Sequence, residues 1–394
     1  MSILFLTTIL PRKKRMGSEV ASQCFIDALT QNGYKVSVVG YMRKDDVFEL
    51  NPQEILIDKR YIETKKAKLN SIIWLILSLL KNMPYSSGKY YSSTYIKTVK
   101  QLLSTNRYDA IIIDHAQLGW LQKFIQDKDK LIFVAHNIEN QIYLDCYQNA
   151  RNWISKLIYK REANLIKKME DKLASAVQQV WSLTEHDAKY FFKIEGVKKI
   201  KVLPLSPGLE QSQSKPVTKQ FDIGLIGSWF WKPNEEGLRW FLENVYPHLD
   251  SQLSIHIAGR GADWIADKYS NIKYRGIVPD AQEFMAQARV VAIPTLSGGG
   301  IQIKTLDAIA SGSFIVATGV AIRGIYQPPS TVKISDNPEQ FAKLLSSSAA
   351  SPFRQRNFDE AKNWYRFRQE NFMDDIYRAI EELSLANNLL IDKK

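Results

Sequence analysis

The sequence predicts an α/β protein with two doubly wound, mostly parallel sheets. Short apolar runs alternate with amphipathic segments of helical length through most of the 394 residues, and this alternation is typical of helices packed on a parallel sheet. The length suits two domains, each large enough to bury its own core. A polar stretch near the middle, LEQSQSKPVTK at residues 209–219, is followed at once by a new apolar run and predicts the linker between them.

Five apolar runs are the expected strands of the first sheet, in an N-terminal domain at 1–208. Each run is short and is bounded by polar or turn-forming residues, as strands buried on both faces are. The first run is not a secretory signal, because the charges at 12–15 follow it, whereas a signal carries its charges in front. The expected strands are 3–7, 35–39, 110–114, 131–135 and 179–183.

Four further runs are the expected strands of the second sheet, in a C-terminal domain at 220–365. They again alternate with segments of helical length, so the second half of the chain repeats the layered pattern of the first. The last part of the chain, 366–394, has apolar residues at helical spacing and predicts one or two long helices. The expected strands are 223–226, 254–258, 290–294 and 314–318.

One helical segment, IIWLILSLL at 72–80, is apolar almost throughout. It is too short to cross a membrane, because a spanning helix needs about twenty residues. The segment therefore predicts either a buried helix or a helix that lies in a membrane interface. The buried helix is the favoured interpretation.

The charge of the chain is unevenly distributed. Lys and Arg total 53 against 41 Asp and Glu, a net charge of +12. The 32 basic and 20 acidic residues before Gly208 contain the whole excess, since 21 of each kind follow. The composition otherwise excludes a disordered or fibrous chain. Two cysteines, Cys24 and Cys146, are too few for a disulfide framework or a zinc cage, so a reducing cytoplasm is the expected compartment.

The strongest local motif is a glycine loop between a strand and a helix, PTLSGGGIQIKTLDAIASG at 294–312. Three glycines let backbone amides approach a ligand, and the helix that starts near Ile303 points its positive dipole end at the same place. This geometry favours a phosphate. The motif is not a P-loop, because Ile303 stands where that motif has Gly. Asp307, one turn into the helix, could accept hydrogen bonds from sugar hydroxyls; a flexible turn with a capping acid is an equally good interpretation.

Two other junctions follow expected strands of the second sheet. Gly259-Arg260-Gly261 lacks the third glycine of a dinucleotide fingerprint, although Arg260 would lie where doubly wound folds bind ligands. The segment GSWFWKPN at 227–234 begins with Gly227 and Ser228 and contains Lys232. Lys232 and the aromatic residues there either hold phosphate and sugar or cover the core.

Two histidines in the first half follow expected strands directly. His136 comes after LIFVA, and His115 comes after AIIID. Side chains at the carboxyl ends of parallel strands face the ligand crevice, so a functional role is favoured for His136 and is as probable as packing for His115. Asp127-Lys-Asp129 resembles a metal-nucleotide motif, but it lies in a charged turn and is rejected as a site. The basic run at 12–15 suits an anionic substrate or a solvated loop about equally.

These motifs, taken in series, resemble the retaining glycosyltransferases of family 4, which have the two-domain GT-B fold. The resemblance covers most of the chain, and the order and spacing of the motifs carry it. The matching segments are ILFLTTILPRKKRMGSEVASQCFIDALTQNGYKVSVV, AHNIENQIY, VWSLTEHDAKYF, VLPLSPGLE, IGLIGSWFWKPNEEGLRWFLENVYPHL, LSIHIAGRG, YRGIVPD and TLSGGGIQIKTLDAIASGSFIVAT.

The resemblance implies transfer of a sugar from a nucleoside diphosphate sugar, with retention of configuration and without a metal or other cofactor. It assigns the nucleotide to the C-terminal domain and the acceptor to the N-terminal domain, with reaction in the cleft between them and the end helix packed back on the first domain. Asp307 would bond the ribose, and Lys304 would hold the departing phosphate. The other implied donor-binding residues are Gly227, Ser228, Lys232, Arg260, Val278, Gly299, Gly300 and Ile301.

In the N-terminal domain the resemblance implies that His136 contacts the donor sugar. It also places Gly17 and Ser18 beside the acceptor and the diphosphate, and His115 is included in that acceptor group. The family's paired glutamates are altered, with Gly at 299 and Asp at 307. A branch with a Gly-x-Gly-x-x-x-Lys loop is similar in this respect, including glycosyltransferases of heterocyst-envelope polysaccharide in cyanobacteria.

That branch implies a role in cell-surface or exopolysaccharide synthesis. The expected donor is UDP-linked and the acceptor is a lipid-linked or oligosaccharide chain, handled in the cytoplasm at the inner face of the membrane, with the basic domain in contact with anionic lipid. Two alternatives remain open: a sugar-nucleotide epimerase of the same fold, and a non-catalytic protein that binds nucleotide sugar or nucleic acid. A nucleic-acid partner is not expected, because clustered charge without a recognition motif is nonspecific.

Overall fold

The computed structural model describes residues 1–67, 69–206, 217–352 and 355–391. They divide into two compact units, Met1–Leu205 with Asn371–Lys394, and Ser206–Glu370, called here the first and second units. The first boundary follows Leu205, where the sequence predicted 208, and the second follows Glu370, where it predicted 365. Most of the expected linker, residues 209–216 of 209–219, lies outside the described residues.

The first unit has a parallel sheet of seven strands among its described residues, in the order β3-β2-β1-β4-β5-β6-β7. Strands β1 and β4 lie in the centre and are buried along almost their whole length, because helices cover both faces of a parallel sheet. The strands are β1 Ser2–Ile9, β2 Lys35–Arg43, β3 Glu54–Arg60, β4 Ala110–Asp114, β5 Leu131–Ala135, β6 Gln179–Ser182 and β7 Ile200–Val202.

Three helices of the first unit begin where a polar side chain satisfies a free backbone N–H group. The side chain of Ser92 accepts a hydrogen bond from the backbone N–H of Tyr95, and Asn152 and Thr184 cap two later helices in the same way. The helices are α1 Gly17–Gln31, α2 Thr64–Ala67, α3 Leu69–Leu80, α4 Tyr85–Gly88, α5 Ser93–Thr105, α6 Glu139–Gln148, α7 Trp153–Ala176 and α8 Glu185–Phe192. A 3-10 segment, Ala116–Phe124, follows β4.

The second unit has a parallel sheet of six strands in its described part, in the order β10-β9-β8-β11-β12-β13. Asp280 and Asn337 cap two of its helices. The strands are β8 Phe221–Ile226, β9 Ile255–Ala258, β10 Ile272–Gly276, β11 Ala288–Ile293, β12 Phe314–Ala317 and β13 Val332–Ile334. The helices are α9 Lys232–Trp240, α10 Ala281–Gln287, α11 Ile303–Ala310 and α12 Pro338–Ala350.

A last long helix, α13 Gln355–Ile391, contributes to both units. Its earlier part packs in the core of the second unit through Ala361 and Tyr365. Its later part belongs to the first unit, where the Phe372 ring lies 5.3 Å from that of Phe25. Gln179 of β6 also donates a hydrogen bond to the carbonyl oxygen of Ala379. The end of the chain thus packs with the first unit, as the resemblance implies.

The fold class predicted from the sequence, two doubly wound parallel sheets, is confirmed, and all nine expected strands exist. The four strands that the sequence analysis missed are β3, β7, β10 and β13, which are the two edges of each sheet. Edge strands are partly exposed and carry polar residues, as in β3 with EILIDKR, so they lack the continuous apolar run of a central strand.

The favoured interpretation of segment 72–80 as a buried helix is wrong. The segment is helical, as part of α3, but only Trp74 and Ser78 of this helix are buried. Its leucines and isoleucines are largely exposed; Leu80, for example, is 78% exposed. Within the described residues, no helix combines the length and the apolar character needed to cross a membrane.

Candidate functional site

In the second unit the candidate residues lie where parallel strands end. The carboxyl ends of such strands meet at one edge of the sheet, where this fold binds ligands. Gly259, after β9, packs against Gly227, after β8, so closely that a Cβ atom at 259 would lie 1.8 Å from the Gly227 carbonyl oxygen. Gly259 also has a φ of +107°. Only glycine satisfies both conditions, and its presence brings the two loops together.

The glycine loop after β11 has a conformation that needs two of its three glycines. Gly298 has a φ of +113° and Gly300 has a φ of +65°, whereas the φ of Gly299 is not positive. The loop is held from outside, because Arg323 donates a hydrogen bond of 2.8 Å to the carbonyl oxygen of Gly298. The hydroxyl of Ser297 lies 3.1 Å from a carboxylate oxygen of Glu236 on α9. The loop is therefore preorganised by contacts with side chains from α9 and from the segment after β12.

Lys304, in the first turn of α11, is fixed by a chain of hydrogen bonds. Its Nζ donates to Oδ1 of Asn234 at 2.8 Å, and Nδ2 of Asn234 donates to the carbonyl oxygen of Ser228 at 3.1 Å. Burial lowers the pKa of Lys304 to about 8. The ammonium group is thus costly to keep charged, and an anion bound beside it would offset that cost.

Asp307 lies three residues after Lys304, so both side chains are on the same side of α11. Burial raises the pKa of Asp307 to about 7. A carboxylate in this position gains from hydroxyl donors, which stabilise its charged form. A cation for phosphate and an acceptor for hydroxyl groups therefore lie one helical turn apart.

The other predicted donor-binding residues of the second unit lie at the same edge of its sheet. Gly227 and Ser228 follow β8, Arg260 follows β9, Val278 follows β10, and Ile301 precedes α11. Ser228 and Arg260 are exposed to solvent. Lys232 is also exposed, and its Nζ lies 3.5 Å from a carboxylate oxygen of Glu236.

The aromatic residues after β8 were expected either to contact a ligand or to cover the core, and the structure shows both buried and exposed rings. Trp229 is 3% exposed, and its indole N–H donates to the carbonyl oxygen of Ala258, so it covers the core. Phe230 and Trp231 are 77% and 49% exposed. These two rings remain free to contact a ligand.

In the first unit, Asp114 is the centre of a buried network at the ends of β1, β4 and β5. Its Oδ1 lies 2.5 Å from Nε2 of His136, and its Oδ2 accepts hydrogen bonds from Thr7 Oγ1 at 2.7 Å and Ser22 Oγ at 2.6 Å. Burial opposes ionisation of Asp114, but the neighbouring His115 and His136 and the hydrogen bonds from His136 and Ser22 outweigh it and lower the pKa to about 2. The carboxylate is therefore ionised at neutral pH.

His115, which follows Asp114, is held in a strained conformation. Its φ is +77°, which is unusual for a residue other than glycine. Its ring stacks on that of His136, with centroids 3.9 Å apart and planes 22° apart. Burial lowers the pKa of His115 to about 3, so this ring is neutral at pH 7.

His136 has one ring nitrogen engaged and one available. Nε2 contacts Asp114, whereas the buried Nδ1 has no hydrogen-bond partner among the described residues. Such an atom costs free energy unless a ligand group or water satisfies it. Ligand atoms of Asp114, His115 and His136 lie within 4.8 Å of one another, a spacing that a metal ion could use. However, both oxygens of Asp114 already accept hydrogen bonds, so a hydrogen-bonded pair explains the geometry without a metal.

The predicted acceptor residues Gly17 and Ser18 form the exposed first turn of α1. Ser18 connects to the network, because its carbonyl oxygen accepts a hydrogen bond from Ser22. The basic run at 12–15 is partly neutralised: Arg15 pairs with Asp46, and Arg12 contacts Asn51 and Glu54.

Sequence reasoning missed four side chains of these sites. Asp114 was visible as an acid that ends a buried strand directly before a histidine, and this signal could have found it. Asn234, Glu236 and Arg323 had no comparable signal, because their partners lie 25 to 70 residues away in the chain.

Comparisons with known proteins find a family match for part of the chain and a distant relative over most of it. Residues 220–349 match the family described as Glycosyl transferases group 1. An uncharacterized 44.6 kDa protein in the cps region of Klebsiella pneumoniae is 21% identical over 397 residues, which cover 94% of this chain and 96% of that protein.

Solved structures show the same fold. The crystal structure of WaaG, a glycosyltransferase involved in lipopolysaccharide biosynthesis, has a TM-score of 0.59 at 14% identity and covers 97% of this chain and 99% of its own. That of Anabaena Alr3699/HepE in complex with UDP has a TM-score of 0.60 at 13% identity and covers 98% and 100%. The two sheets and these matches agree: residues 220–349 match the group 1 glycosyltransferases, and the chain as a whole has the fold of GT-B glycosyltransferase structures.

Proposed function

We propose that this enzyme transfers a hexose from a UDP-linked sugar to a lipid-linked or oligosaccharide acceptor, with retention of configuration, in the synthesis of a cell-surface polysaccharide. The observation that carries the donor part is the arrangement around α11. Lys304 and Asp307 lie on the same side of α11, and the glycine loop, bonded to Arg323, leads directly into the start of this helix. A pyrophosphate and a ribose need a cation, backbone donors and a hydroxyl acceptor in that proximity.

The chemical work of the second unit is to stabilise the leaving group. Negative charge grows on the diphosphate as its bond to the sugar breaks, and donors fixed in advance stabilise that charge most effectively. Lys304 is fixed by Asn234, and the amides of Gly299, Gly300 and Ile301 belong to a loop held by Arg323. Asp307 would bond the ribose hydroxyls.

In the first unit, His136 is the proposed contact for the donor sugar. Its free Nδ1 suits a sugar hydroxyl, and the ionised Asp114 orients the ring through Nε2. Gly17 and Ser18 would border the acceptor, and His115 would position His136 by stacking. No resident metal or cofactor is required, since Lys304 and the amides supply the positive charge; activity should therefore persist in EDTA.

The proposed donor, product and location of the enzyme are supported by similar proteins and by the charge of the chain. The Anabaena structure contains UDP, WaaG acts in lipopolysaccharide biosynthesis, and the Klebsiella protein is in a cps region. These support a UDP donor and a surface polysaccharide product. The basic first half supports a cytoplasmic enzyme that contacts anionic lipid at the inner face of the membrane, rather than one that binds nucleic acid.

A calorimetric panel of UDP, GDP and ADP sugars tests this proposal, followed by product analysis. Binding of one donor, with release of free sugar in the absence of acceptor, is expected. Lys304→Met should lower turnover and Asp307→Asn should weaken donor binding, whereas Lys343→Met, at an exposed lysine of α12, is the matched control. Failure of every donor to bind, or conversion of the donor into an epimer, would overturn the proposal. An anomeric product of inverted configuration would refute the retaining mechanism alone.

A further inference from the structure

Helix α3 exposes its apolar side chains to solvent. Seven of its twelve residues are Leu or Ile side chains that are at least 48% exposed. Trp74 and Ser78 are buried, four residues apart, so the helix contacts its unit along one narrow stripe. An apolar helix exposed on its remaining sides indicates a partner that covers it.

The start of α7 extends this surface. Trp153, Ile154, Leu157 and Ile158 are 53% to 74% exposed. The same helix joins α3 directly, because the guanidinium of Arg161 donates hydrogen bonds to Oγ of Ser78 at 3.1 Å and to its carbonyl oxygen at 3.2 Å. The exposed apolar side chains of α3 and of residues 153–158 are called the apolar patch below.

The two chain segments that carry the apolar patch contain basic but no acidic residues. Two acids outside these segments pair with them, Asp45 with Lys66 and Glu162 with Arg161. Residues 64–83 contain four lysines and no acidic residue, and residues 149–161 contain four basic residues and no acidic residue. These two segments account for eight of the twelve excess positive charges of the chain. Lys66, Lys81, Lys156 and Lys160 are exposed. The two segments that expose the apolar side chains are thus also basic.

We propose that the apolar patch is a membrane-docking surface that inserts into the interface of an anionic bilayer. Twelve residues extend about 18 Å, too short to span a bilayer but suited to a helix lying in the interface. Leu and Ile then contact acyl chains, the lysines contact anionic headgroups, and Trp153 occupies the boundary that Trp prefers. A protein groove would cover one face of α3, whereas a bilayer surrounds every exposed side.

This inference deepens the proposed function by naming the surface that brings the enzyme to a lipid-linked acceptor. Its test is independent of the donor. Co-sedimentation of the full chain is measured with phosphatidylcholine vesicles, with and without phosphatidylglycerol. The test variant is Ile73→Glu with Ile76→Glu, since both side chains are about half exposed on α3. The control is Phe192→Glu on α8, at a side chain that is 82% exposed outside the apolar patch.

Wild-type protein and Phe192→Glu should bind the anionic vesicles, more weakly as salt rises. The double variant should bind at least about ten times more weakly, because charges replace inserted apolar groups. Its circular dichroism and donor hydrolysis should be unchanged. Equal binding by the double variant would overturn the inference. So would a wild-type dimer that fails to bind vesicles and that the double variant converts to a monomer, since the patch would then bind a second copy.

Discussion

The pH dependence of donor use should be governed by two side chains of α11. Burial raises the pKa of Asp307 to about 7 and lowers that of Lys304 to about 8. In the proposed function, the competent form has Asp307 ionised, to accept hydrogen bonds from the ribose, and Lys304 charged, to hold the diphosphate. Activity therefore falls as pH decreases through the pKa of Asp307, and it falls again as pH rises through that of Lys304.

The size of the effect follows from these two values. If the groups titrate independently, about 60% of the free enzyme is competent at about pH 7.5 and about 9% at pH 6 or pH 9, so kcat/KM should fall about sixfold on each side. Groups with ordinary pKa values would give a flat profile over this range, because Asp would be ionised and Lys charged throughout. Burial alone is thus responsible for the expected curvature.

The assay is kcat/KM for donor hydrolysis, which reports the pKa values of the free enzyme. A nucleotide sugar is the appropriate substrate, since its diphosphate does not titrate in this range. Asp307→Asn should remove the acidic limb and Lys304→Met the alkaline limb, each with a lower maximum, while Lys343→Met should keep the wild-type profile. A flat wild-type profile, or an acidic limb that survives Asp307→Asn, would refute the assignment.

Three further changes test the two sites separately. Asp114→Asn should lower the free energy of unfolding by about 2 to 3 kcal/mol in urea denaturation, because an amide cannot accept all the hydrogen bonds that converge on the buried carboxylate; an unchanged midpoint would exclude this role. Gly298→Ala should cost about 1 kcal/mol and weaken donor binding in calorimetry, since alanine disfavours a φ of +113°, whereas the control Gly299→Ala should be milder; equal effects would contradict the argument. Arg323→Ala should raise the KM of the donor about tenfold, because the glycine loop loses its anchor, and a variant with wild-type KM would show that the loop needs no such support.

The central strands of both sheets could be predicted from the sequence, whereas the edge strands could not. The run AIIID was recognised because every residue of β4 is buried between helices. Each side chain there must be apolar or have its hydrogen-bonding groups paired. The edge strand β3 escaped recognition because half of its surroundings is solvent, which tolerates Asp58, Lys59 and Arg60. A strand that is buried on both faces therefore shows a continuous apolar run in the sequence. A partly exposed strand does not show this run, so it is harder to recognise.

The same distinction applies to the sites. The glycine loop, Lys304 and Asp307 are neighbours in the chain, so their spacing already predicted a phosphate site. The anchor of that loop, Arg323, contacts a carbonyl oxygen, and any donor of suitable length could do so; no residue pattern identifies it. His136 was predicted from its place after a strand, but its partner Asp114 is brought to it because β4 and β5 are neighbours in the sheet.

The sequence by itself determined the two-sheet architecture, the position of the glycine loop between a strand and a helix, and the basic character of the first half. These depend on periodicity and on contacts between near neighbours, which local physical chemistry controls. Only the tertiary structure decided that α3 is exposed, since burial depends on what packs against a helix, and the sequence analysis favoured the opposite. Eight basic residues lie in the two segments that form the apolar surface, residues 64–83 and 149–161. These segments are about 70 residues apart in the chain, and folding joins them through the hydrogen bonds of Arg161 to Ser78.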